Sequence, residues 1–145
     1  MAKSQDRCLY TIKVKTSWDD GSGTNSVVKL QIFDSTGKNF VIGNLEQWGI
    51  MEPHHEYFER DNLDFFSGGN ICLNPCSIFL SIDGQGNRPE WHVEYVEITV
   101  TGPTLNTRIG FPVNNWLGAG FPTTVNLCLP LAKEQARSVA RKIRA

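Results

Sequence analysis

Glu90, His92 and Glu94 alternate along a run of β-type residues and so project to one face. Two carboxylates flanking an imidazole could hold a metal ion or move a proton. A solvated strand face has the same composition, because exposed charged residues are the norm. The other histidines, His54 and His55, are adjacent, and with Trp48 and Tyr57 they could line a loop pocket for a small molecule. The sequence has no Gly-x-Ser-x-Gly elbow, no phosphate-binding glycine loop and no paired Cys-x-x-Cys zinc signature. Binding is therefore a stronger reading than catalysis.

Trp48, Ile50 and Met51 lie in a connection after Gly43, and Trp116 and Phe121 lie in a second one. Tryptophan favours the polar–apolar boundary of a bilayer, so these five are candidates for contact with a lipid surface or a protein partner. The alternative is that each closes an end of the core. Four cysteines (Cys8, Cys72, Cys76, Cys128) allow three fully paired connectivities, and an even count in a small β-domain points to an oxidising compartment. Met1 to Arg7 is polar and unlike a signal peptide. Either Met1 begins a mature secreted chain, in the secretory pathway or endoplasmic reticulum, or the four are reduced thiols in the cytoplasm. The cysteine count favours the first.

The elements that must position these residues are strands. Tyr10, Ile12 and Val14 alternate with Thr11, Lys13 and Lys15; Val28, Leu30 and Ile32 alternate with Lys29 and Gln31; Ile78, Leu80 and Ile82 alternate with Ser77 and Ser81. Between 91 and 100 the parity slips, with Trp91 and Val93 on one phase and Val96, Ile98 and Val100 on the other. A β-bulge near Glu94 and Tyr95 would return all five to the core. Turn clusters at 19–23, 34–37, 67–70 and 83–87 separate the strands, while Thr107 to Val113 and Thr123 to Cys128 are weaker candidates divided by a loop. After Pro130, Ala132, Ala136, Val139, Ala140 and Ile143 share a helical face opposite Lys133, Arg137 and Arg141.

The 145 residues suit one domain. Net charge is −1, but residues 132–145 hold five of the 14 Lys+Arg and one of the 15 Asp+Glu, leaving the body at −5 and the tail at +4. An acidic body argues against a nucleic-acid-binding domain. The tail alone invites an anionic partner. No stretch approaches the roughly 20 apolar residues of a transmembrane helix.

The runs Cys8–Ile12, Gly23–Ser26, Asn44–Gly49 and Tyr57–Asp64, with Asp83-Gly84-Gln85-Gly86, Trp91 and Tyr95–Thr99, resemble the plant single-domain PLAT/LH2 stress proteins. The likeness is spread over residues 8–128. It implies an all-β, eight-stranded antiparallel sandwich of two four-stranded sheets over residues 8–130, between an N-terminal tail, 1–7, and a short basic C-terminal helix, 131–145. It further implies a non-catalytic lipid- or protein-binding module acting in plant stress responses, commonly in the endomembrane system.

The resemblance also implies calcium as a candidate cofactor. Related domains use a Gly-Thr-Asp loop, which here is Gly23, Thr24 and Asn25, with Asp61, Asn62, Asp64 and Asp83 as further candidates and Asp19 and Asp20 nearby. Asn25 in place of Asp removes a charge. If residues 57–66 give one strand, the Asp83 and Gly23 loops share an end of the sandwich; if two, they do not. The first and last strands of this fold run adjacent and antiparallel, which favours Cys8–Cys128 and leaves Cys72 with Cys76. Pairing of Cys8 with Cys72 or Cys76 stays open.

Overall fold

The computed structural model describes residues 7–128. Alternating sequence becomes strand where one face can be buried, and β1 (Arg7–Thr16) shows it: Cys8, Tyr10, Ile12, Val14 and Thr16 point inward. β1 begins at Arg7, one residue inside the expected tail. It is followed by β2 (Val28–Phe33), β3 (Asn39–Ile42), a short 3-10 helix (Leu45–Trp48), β4 (Leu63–Ile71), β5 (Ser77–Ile82), β6 (Trp91–Thr101), β7 (Asn106–Leu117) and β8 (Thr123–Asn126). All pairings are antiparallel. The sheets run β4-β1-β6-β7 and β3-β2-β5-β8, which is the expected eight-stranded sandwich.

Their inner faces meet in one core. Tyr10, Leu30, Leu80 and Ile98, each from a different strand, are fully buried in it. Burying one such side chain contributes about 1.5–3 kcal/mol. Trp91 fills the end of the core nearest the β1–β2 loop, stacks edge-on against Phe58 at 5.1 Å and donates its indole N–H to Thr16 Oγ1 at 2.9 Å. That bond satisfies a buried polar pair.

The parity slip in β6 is a register shift between Val93 and Tyr95. It leaves Trp91, Val93, Val96, Ile98 and Val100 all buried, as the bulge requires. Opposite the bulge β7 continues to Leu117, four residues past the expected Val113, with Asn114 in the left-handed region (φ 46°) where the two strands come back into step. β8 stops at Asn126, two residues short of the expectation.

The cysteines pair as Cys8–Cys72 and Cys76–Cys128, so the favoured Cys8–Cys128 and Cys72–Cys76 connectivity is corrected. Sheet order is the reason: β1 and β8 lie in different sheets, β1 next to β4 and β8 next to β5. Cys8 sits opposite Asn70, so the chain just past β4 brings Cys72 to it. Cys76 precedes β5 and Cys128 follows β8, whose neighbouring Leu127 N–H bonds the Cys76 carbonyl at 2.7 Å. The expected C-terminal helix lies outside the described residues. Among the described residues no helix is long and apolar enough to cross a membrane.

Candidate functional site

Residues 57–66 give one strand, so the loops after β1 and β5 and the approach to β4 meet at one end of the sandwich. Gly23 is where they come closest: a side chain there would press on the Arg60 backbone nitrogen and the Phe58 carbonyl, 2.9 and 3.1 Å away. Thr24 N–H donates to the Phe58 carbonyl at 3.0 Å, and Thr24 Oγ1 donates to the Arg88 carbonyl at 2.6 Å. Asn25 Nδ2 donates to Asn87 Oδ1, while Asn25 Oδ1 accepts the Arg88 N–H at 3.1 Å. Asp83 Oδ1 accepts the backbone N–H groups of Val27 and Gln85, each at 3.0 Å. The side chain of Arg88 closes the group through both nitrogens onto both Glu59 oxygens, at 2.8 and 2.5 Å.

Asp64 is fully buried and structural in its contacts. Its Oδ2 accepts the Phe58 N–H at 2.7 Å and its Oδ1 meets His55 Nε2 at 2.5 Å. Phe58 needs that support because its φ of 62° is a conformation bulky residues avoid. His55 Nδ1 contacts Glu52 Oε2 at 3.0 Å, so the imidazole bridges two carboxylates. Hydrogen bonding to Asp64, against the opposing effect of desolvation, raises the His55 pKa above its usual value. Asn62 Nδ2 donates to the Glu56 carbonyl at 3.1 Å, and exposed Asp61 pairs with Lys15 at 2.7 Å, which holds its carboxyl below the usual range.

Large aromatic surfaces stand exposed on this end. Phe121 is 73% exposed, Trp18 63% and Trp116 43%, far beyond the buried norm for such residues. Two of them are linked through shared neighbours: Trp18 adjoins Asp19, whose carboxylate lies 3.4 Å from His92 Nδ1, and the His92 ring lies against Trp116 at 4.8 Å. Phe121 closes the β7–β8 turn by bridging to Gly118. Sequence reasoning missed Trp18 because its even number continues the inward parity of Ile12, Val14 and Thr16. The signal available was its position next to the Asp-Asp-Gly turn, where the strand has to stop.

Trp48, Ile50 and Met51 lie elsewhere, alongside β4. The Trp48 ring packs on Gly68 and against Phe40, so it is half-buried and closes the core. Gly49 bridges Phe66, and the Ile50 N–H donates to the Phe65 carbonyl at 3.1 Å. The segment thereby covers the outer edge of β4, with Ile50 exposed and Met51 half-buried.

Calcium takes about six to eight oxygens turned toward one point. In this structure the residues named for it are engaged in other contacts: Thr24, Asn25 and Asp83 Oδ1 serve N–H groups or a carbonyl of neighbouring loops, Asp64 is held by His55 and Phe58, and Asp61 faces Lys15. Among the described residues no three His, Cys, Asp or Glu side chains are placed to hold an ion, and that includes Glu90, His92 and Glu94. His54 is exposed with φ 66° and stands apart from the His55 bridge. An open depression of about 350 Å³ between the loops is lined by Asn25, Glu46, His55, Tyr57, Glu59 and Arg88.

The sequence pattern of the PLAT/LH2 domain matches residues 10–129. PLAT domain-containing protein 2 of Arabidopsis thaliana is 38% identical over 123 residues, 82% of this chain and 67% of that protein. PLAT domain-containing protein 1 of the same plant is 39% identical over 120 residues, 80% of this chain and 66% of that protein. The chain thus spans about two thirds of each relative's length. Among solved structures, coral 8R-lipoxygenase, described as activated by calcium through a C2-like domain, superposes with a TM-score of 0.62 at 20% identity, over 81% of this chain and 16% of that one.

Proposed function

The chain belongs to the PLAT/LH2 domain family, and from that membership we propose that it is a non-catalytic module docking on a lipid surface through the end of the sandwich that carries Trp18, Trp116 and Phe121. The observation that carries this reading is the exposure of three large aromatics at one end, Trp18 and Phe121 in the β1–β2 and β7–β8 connections and Trp116 near the end of β7. Exposed aromatic side chains lose contact with water on entering the interfacial zone of a bilayer, and Trp is at home there. The ring of hydrogen bonds among residues 23–27, 58–60 and 83–88 holds the neighbouring loops fixed, so docking orders little that is not already ordered.

No metal step enters this reading. The two disulfides support a setting in the secretory pathway or endoplasmic reticulum, since such bonds persist in oxidising compartments. The stress-response role implied by the resemblance is its physiological context. The test is co-sedimentation of the full chain with liposomes, neutral and anionic, before and after Trp18→Ala, Phe121→Ala and Ile50→Ala. Loss of binding with the first two and retention with the third supports the proposal. Equal binding by all variants, or no binding to any lipid, would sink it and turn attention to a protein partner on the same surface.

A further inference from the structure

We infer that Arg88 is a resident cation that organises the loop end of this chain, in the position where a divalent ion would otherwise have to gather the loops. Four contacts converge on this one residue: its carbonyl accepts Thr24 Oγ1, its N–H donates to Asn25 Oδ1, and its guanidinium forks onto both oxygens of Glu59. Residues 23–25, 58–60 and 85–88 are thereby tied at a single point. A bidentate guanidinium–carboxylate pair has fixed direction, which a point charge lacks. Pro89 follows Arg88 and confines its backbone to extended geometry, so the residue is set in place before the side chain finds its partner.

The departure at Asn25 fits the same arrangement. An aspartate there would add a negative charge beside Asn87, in the depression that Glu56 and Glu59 also line, whereas the amide both donates to Asn87 and accepts from Arg88. With a guanidinium already neutralising Glu59 and near Glu56, a calcium ion would meet a positive charge and ligands that are already hydrogen-bonded. The loop end is therefore built to be complete without the ion. This inference does not depend on what the aromatic surface docks against.

The experiment is calorimetric titration of calcium chloride into the full 145-residue chain, with thermal melts in calcium and in chelator, for the natural chain, Asn25→Asp, Arg88→Gln and the double variant. The natural chain and Asn25→Asp are expected to take up no calcium saturably and to melt alike in both media. Arg88→Gln melts lower than the natural chain in chelator, and the double variant takes up calcium saturably where Asn25→Asp does not. Saturable calcium binding by the natural chain, an Arg88→Gln variant as stable as the parent, or a double variant with no gain overturns the inference. Should Arg88→Gln fail to fold, Arg88→Lys decides: it keeps a cation but loses the fork, so it must fold with a lower midpoint than the natural chain and stay indifferent to calcium, and calcium-dependent folding of it would refute the inference.

Discussion

His55 has the surroundings of a catalytic histidine and the contacts of a clamp. It ties the loop entering β4 to the buried carboxylate of Asp64, while that carboxylate secures the left-handed Phe58. Its folded-state pKa is raised above the ordinary value near 6.5 by Asp64, with Glu52 adding to the effect. The stabilisation is thus fully present below that ordinary value and is lost as pH rises through the folded-state value. Thermal melts should give a higher midpoint at about pH 6 than at about pH 8, and His55→Gln should remove most of the difference. An unchanged difference in the variant would show that another group is responsible. Asp64→Ala leaves the Phe58 N–H unpaired inside the protein and should cost about 3 kcal/mol in a urea titration. The sequence showed His55 as a titratable residue in a loop, but its partner Asp64 lies nine positions away and reaches it only because the chain doubles back before β4.

Strands announced themselves where one face is apolar and the other wet, as in β1, β2 and β5. The bulge in β6 could be read because five apolar residues change phase at one place. Disulfide connectivity could not be read so directly, because it depends on which sheet holds the last strand, and β8 belongs beside β5. Peptide mapping without reduction should recover the Cys8–Cys72 and Cys76–Cys128 linkages, and recovery of Cys72–Cys76 would contradict this arrangement of strands. Replacing Cys8 and Cys72 together by serine removes the closure of a 64-residue separation and should cost about 4 kcal/mol by the chain-entropy argument. The Leu45–Trp48 helix shows a further dependence between elements: its Trp48 ring lies on Gly68 of β4, with no room for a methyl group. Gly68→Ala should lift that segment from the β4 edge at a cost of about 1–3 kcal/mol, seen as a red shift of tryptophan emission and a lower melting point.

The sandwich as a whole sorts its aromatic residues into two kinds. Trp91, Tyr10, Phe58 and Phe111 fill the core, whereas Trp18, Trp116 and Phe121 stand on one end in water. Composition and parity cannot make that division for residues next to turns: Trp48 and Trp18 both sit beside polar loops, and one closes the core while the other points out. What separates them is the topology, which brings the β1–β2, β5–β6 and β7–β8 connections to the same end and lays the Trp48 segment along β4. Docking of that end on a lipid surface is most directly tested by quenching of tryptophan fluorescence with vesicles of brominated phospholipid. Emission of the natural chain should be quenched, and a Trp18→Phe, Trp116→Phe variant, which keeps Trp48 and Trp91, should lose the quenching. Quenching that persists undiminished in that variant, or is absent from the natural chain, would contradict the account.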